Sequence, residues 1–139
     1  MEFFATSEVE AKEMDLQRRL TVGALAQLCD SIDSVLRDEG DEGEIYCVWG
    51  QFRVRREPIR GGVRFTLPRC PNALAWTVTG GEEGESGPVV IHCTINRRGH
   101  EPEFVESIRQ FVNDWRRGLE RDIRKESGRT QVRPTSASL

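Results

Sequence analysis

Residues 44–96, EIYCVWGQFRVRREPIRGGVRFTLPRCPNALAWTVTGGEEGESGPVVIHCTIN, decide the fold. Ile45, Cys47 and Trp49 alternate with Tyr46 and Val48, and Phe52 and Val54 alternate with Arg53 and Arg55. Alternation at period two is the pattern of a half-buried strand. The Gly50-Gln51 pair between the two runs suits the centre of a type II′ turn, which pairs Trp49 with Phe52 and Cys47 with Val54. On that register Ile45, Cys47, Trp49, Phe52 and Val54 share one face, and Tyr46, Val48, Arg53 and Arg55 share the other. The alternative is one long bent strand with a bulge at Gly50, which groups Tyr46, Val48, Phe52 and Val54 instead.

Working outward, Val63, Phe65 and Leu67 point inward and Arg64 and Thr66 outward, after a reversal around Glu57-Pro58 and Arg60-Gly61-Gly62. Pro68 to Asn72 breaks the chain, because proline cannot donate to a ladder. Leu74, Trp76 and Val78 mark a fourth strand over Ala73 to Thr79. Val89, Ile91, Cys93 and Ile95 mark a fifth over Val89 to Asn96, with Val90, His92 and Thr94 outward. The glycine and glutamate run from Gly80 to Gly87 between them is a solvated loop. Five short strands in this order make an antiparallel meander the economical topology.

The flanks predict helices. Leu25, Leu28, Cys29, Ile32, Val35 and Leu36 recur at three- and four-residue spacing, one apolar helical face that ends at Asp38-Glu39-Gly40. Phe104, Ile108, Phe111, Val112, Trp115, Leu119 and Ile123 form a longer stripe, with acids at its start and bases at its end. Ser7-Glu8-Val9-Glu10 matches a capping box. The expectation is an α+β two-layer sandwich: a five-stranded antiparallel sheet with N- and C-terminal helices packed on one face. Residues 1–19 form a polar acidic leader, partly helical or disordered, residues 20–126 a single domain, and residues 127–139 a disordered tail.

A chain of 139 residues holds one modest core. No apolar run approaches a membrane span, and the acidic start Met1-Glu2-Phe3-Phe4 is unlike a secretory signal, so a cytoplasmic setting is expected. Cys29, Cys47 and Cys93 fall on inward positions and read as buried thiols, with Cys70 in the proline-flanked loop the most accessible. His92 and His100 lack the convergent cysteine spacing a zinc site requires, so neither metal nor cofactor is expected.

Net charge is −3, but its distribution is uneven. Residues 1–44 sum to −8 and residues 45–79 to +5. Acidic leader and basic sheet either complement one another or leave the sheet open to an anionic partner. No catalytic motif is present: the Gly80–Gly84 run lacks a phosphate-loop lysine, and neither G-x-S-x-G nor H-E-x-x-H occurs. Enzyme activity is therefore not expected. The outward sheet face is the candidate binding surface, with Arg53, Arg55, Arg64, Tyr46 and His92 as candidate residues. These point to a non-enzymatic domain that binds a protein partner, or itself, through that face or an edge strand. Arginine with aromatics on a sheet also suits single-stranded nucleic acid, the rival reading.

The run CVWGQFRVRREPIRGGVRFTLPRCPNALAWTV (Cys47 to Val78) resembles small proteobacterial proteins of a domain family of unknown function. The resemblance implies a cytosolic bacterial setting and supplies no site residues. Size, acidic balance and helix–sheet–helix order are also similar to the dimeric, acidic chaperones of type III secretion. Those proteins interrupt the sheet with a helix, and no such helix is readable between Val63 and Asn96.

Overall fold

A computed structural model describes residues 1–96 and 99–137, with side chains through Glu126. Seven strands form one antiparallel sheet: β1 (Glu2–Ala11), β2 (Ile32–Asp38), β3 (Glu42–Cys47), β4 (Gly50–Ile59), β5 (Gly62–Thr66), β6 (Ala75–Thr79) and β7 (Gly87–Thr94). Their order is β1-β7-β6-β5-β4-β3-β2. The last six strands form the meander, and β1 closes the far edge against β7. Two short helices, α1 (Glu13–Arg19) and α2 (Leu25–Leu28), joined through a 3-10 turn at Val22–Ala24, lead from β1 to β2. The long helix α3 (Pro102–Ala137) follows β7. The class is α+β, but the sheet has seven strands, not five.

Both missing strands lie in the acidic N-terminal third, and each has a physical reason for being misread. The leader's residues 2–11 are β1, which alternates Phe3, Ala5, Ser7, Val9 and Ala11 against five exposed or half-exposed neighbours. Ser7 interrupts the apolar set, and its Oγ accepts the Val9 N–H at 2.9 Å, so the supposed capping box is a local strand bond. The predicted helical face from Leu25 to Leu36 divides between α2 and β2. Ile32 and Val35 both face the core three residues apart because β2 bulges between Ile32 and Ser34. An extra residue in a strand reproduces helical spacing.

The hairpin between β3 and β4 forms, but its turn lies two residues earlier than expected and the pairing is shifted by four. Cys47 pairs with Gly50 and Ile45 with Phe52, so Val48-Trp49 make the turn and Gly50 takes a positive φ of 115°. A shift by an even number keeps every side chain on its face. Ile45, Cys47, Phe52 and Val54 therefore face inward as expected. Trp49, at the turn, still reaches α3: its Nε1 donates to Ser107 Oγ at 2.8 Å and its ring lies 5.0 Å from Phe111. The next reversal occurs at Arg60-Gly61 alone. Pro58 lies inside β4, tolerated because the β3 ladder ends at Glu42–Arg55 and leaves that side of β4 unpaired.

The core lies between the inward sheet face and the helices. Phe65 and Trp76 pair across β5 and β6, and Phe111 and Trp115 of α3 pack onto them. The α3 stripe read from sequence is buried at Ile108, Phe111, Val112, Trp115 and Leu119. Gly118 brings α3 against α2 so closely that a Cβ there would meet the Leu28 carbonyl. The polar tail expected from residue 127 begins on the last turns of α3, which is continuous to Ala137, and its final two residues lie outside the described ones. No helix among the described residues is long and apolar enough to cross a membrane.

Candidate functional site

Registry places all five sequence-derived residues on the outward face. Side chains directly opposite in a sheet share a face, so the ladders can be read as rows. One row runs Phe4–His92–Thr77–Arg64–Glu57 from β1 to β4. The next runs Glu2–Thr94–Ala75–Thr66–Arg55–Glu42. Arg53 lies opposite Glu44, and Tyr46, half exposed, opposite Gln51. Arg64 and His92 therefore share a row, whereas Tyr46 stands toward the other end of the face.

The arginines are not equivalent. Arg53 lies 3.6 Å from Glu39 and 3.5 Å from Glu42, and Arg55 lies 3.6 Å from Glu42. Arg60 pairs with Glu82 at 2.9 Å. Arg56 points inward, toward the end of α1. The acidic segment before β4 thus answers much of the basic run. Arg64 makes no ion pair or side-chain hydrogen bond among the described residues, although Glu57 lies opposite it in register. Arg69 likewise has none and borders a separate polar depression with Glu44, Gln51 and Arg53.

Arg64 lies in an open groove of about 380 Å³ bordered by Ile59, Ala75, Trp76, Thr77, His92 and Thr94. The groove follows from side-chain size. Ala75 and Thr77 make a low floor on β6, while Ile59 and His92 rise on either side. Gly62 admits no larger residue, since a Cβ would run into the Val78 carbonyl. His92 is fixed from two directions: its ring stacks on Phe4 at 4.3 Å and 3°, and its Nε2 lies 2.9 Å from Glu2 Oε1. Phe4 itself is 61% exposed. Sequence reasoning missed Phe4 because the leader was not recognised as a strand; the Phe3-Phe4 pair in a charged segment was the available signal.

No family model matches this chain, and no curated protein matches it. Solved structures similar in fold include two bacterial proteins. XoxI from Bacillus cereus shares 14% identity, with 87% of this chain and 94% of that chain covered and a TM-score of 0.63. An uncharacterised protein from Bacillus thuringiensis shares 14% identity, with 84% and 97% covered and a TM-score of 0.53. At such identity the likeness is one of fold alone.

Elsewhere several ionisable groups are committed to the structure. All four cysteines are free. Burial pushes the Cys29 thiol far up and the Cys93 thiol up to about 12, so neither is a ready nucleophile. His92 is engaged with Glu2 and Phe4, and among the described residues no hydrogen bond joins it to Cys70. Among the described residues no three His, Cys, Asp or Glu side chains converge as metal ligands.

Asp114 on α3 is buried. Burial alone would raise its pKa, but hydrogen bonds from Ser31 at 2.6 Å, Arg117 at 2.6 Å and Gln110 at 2.7 Å outweigh that and hold it below the usual range. A lowered folded pKa means the stabilisation is full above the unfolded value near about 4 and is lost as pH falls through the folded value. Asp114→Asn is expected to lower stability by about 2 kcal/mol at neutral pH. The gap to wild type should narrow below about pH 4. Urea unfolding from pH 7 to pH 3 checks both; a gap unchanged across that range would contradict the assignment.

Proposed function

We propose that this chain is a small bacterial, non-enzymatic interaction domain that binds a protein partner through the outward face of its sheet. The observation that carries this reading is Arg64, a face arginine left without an ion pair beside the exposed Phe4–His92 stack. Arginine and aromatic groups at the centre of a patch are the groups that most often anchor interfaces. The sheet edges are poorer candidates. Glu120 of α3 accepts the Glu8 N–H at 2.9 Å and so covers the middle of β1, while two bulges blunt β2. The free thiols and the resemblance of Cys47–Val78 to small proteobacterial proteins support a cytoplasmic setting.

The nucleic-acid reading is less well supported. Glu2, Glu42, Glu44 and Glu57 stand on the same face as Arg53, Arg55 and Arg64, so few cations are left to release counterions from phosphates. Light scattering followed by pull-down with the wild-type chain and its Arg64→Ala and Arg53/Arg55/Arg64 triple alanine variants tests the proposal. A discrete partner, or a second copy, should be lost in the single variant nearly as fully as in the triple. A monomer that retains nothing, or a partner held equally by all three chains, would overturn it. Anisotropy with a labelled single strand at low salt should stay flat; a titration with a slope near about −0.7 per contact would favour nucleic acid.

A further inference from the structure

We propose that the groove at Arg64 is a carboxylate site for a ligand whose carboxylate is carried next to a flat apolar group. The inference rests on the outward face being the binding surface, and names the chemistry that surface recognises. Glu57, opposite Arg64 in register, and Glu2, held by His92, lie outside the groove's lining, and among the described residues lining it Arg64 is the one permanent charge. Its planar fork matches a carboxylate in two parallel hydrogen bonds, and the hydroxyl of Thr77, next to it in the row, supplies a further donor.

The rest of the groove suits a flat body. Ala75 gives it an apolar floor, Ile59 one wall and His92 the other. That second wall is already held in place by Phe4 and Glu2, so binding orders little that is not ordered beforehand. A volume of about 380 Å³ lies at the small end of ligand pockets. It takes a single ring with its acid, or one acidic side chain beside one aromatic in an extended segment. A free aromatic acid and an acidic stretch of a partner protein present the same chemistry.

Titration of the isotope-labelled full chain, followed by amide shifts, tests the site. The probes are benzoate, benzamide, a terminally blocked peptide with a glutamate beside a phenylalanine, and the same peptide with glutamine. Benzoate, the glutamate peptide or both should saturably shift the amides of Arg64, Thr77 and His92, and the two neutral probes should not. Arg64→Gln should weaken binding at least about tenfold and Thr77→Val about threefold, both at exposed or half-exposed positions where folding is unaffected. Response to benzoate alone assigns a free acid as ligand, and response to the glutamate peptide assigns a protein segment. No response to either, equal response to the neutral probes, or affinity unchanged in Arg64→Gln would overturn the site. Acid binding in a chain whose protein partner is indifferent to Arg64→Ala would leave the site and remove the protein-binding reading. Partner loss without acid binding would do the reverse.

Discussion

Replacing Trp115 by alanine is expected to lower the unfolding free energy by about 3–5 kcal/mol, the range for removing a large aromatic from a packed core. Trp115 is fully buried on α3, and its ring lies 6.0 Å from Phe65 and 6.1 Å from Trp76. It therefore joins the helix to the two central strands, and a cavity there has rigid strand residues on one side that cannot collapse into it. For a domain of ordinary stability, about 5–15 kcal/mol, the loss is a large share of the total. Trp115→Phe separates volume from polarity. The indole N–H has no protein acceptor among the described residues, so the smaller ring gives up space but no protein hydrogen bond. Its cost should be about half that of alanine, within the same mechanism. Chemical denaturation with unchanged m-values measures both; a Trp115→Ala loss under about 1 kcal/mol would show that the helix contributes little to the core.

The parts of this fold that were legible in the sequence are those where burial writes an uninterrupted period. The β3–β7 meander and the α3 stripe carry apolar residues at most inward positions, Arg56 on β4 being a charged exception, and the face of each survived even where the register of Cys47 and Phe52 did not. The parts that were illegible carry interruptions. Ser7 breaks the alternation of β1, and the bulges of β2 give Ile32 and Val35 the spacing of a helix. The candidate site shows the same division. Arg53, Arg55, Arg64, Tyr46 and His92 were placed on one face by alternation alone. That Glu39 and Glu42 neutralise two of the arginines, and that Phe4 stacks on His92, depends on pairings across strands far apart in sequence. Local pattern carries no information about which strands become neighbours.

Arg56 shows what alternation implies when it places a charge inward, and its removal is the second large expected effect. The period that buries Val54 also turns Arg56 toward the core, directly opposite Phe65. Its side chain is only 11% exposed. Nε donates to the Leu20 carbonyl at 2.5 Å, Nη2 to the Gln17 carbonyl at 2.6 Å, and Nη1 to Asp41 at 3.0 Å. One guanidinium thus caps the carbonyl end of α1, where a cation is favoured, and ties it to the turn before β3. Arg56→Ala leaves two carbonyls and a carboxylate without their donor, and should cost about 2–4 kcal/mol. Arg56→Lys keeps the charge but cannot aim three donors along fixed directions, so it should recover less than half of that loss. Urea unfolding of the two variants decides the matter. A lysine variant as stable as wild type would mean that charge near α1 is what matters; an alanine variant within about 0.5 kcal/mol of wild type would mean that solvent satisfies those carbonyls as well as the guanidinium does.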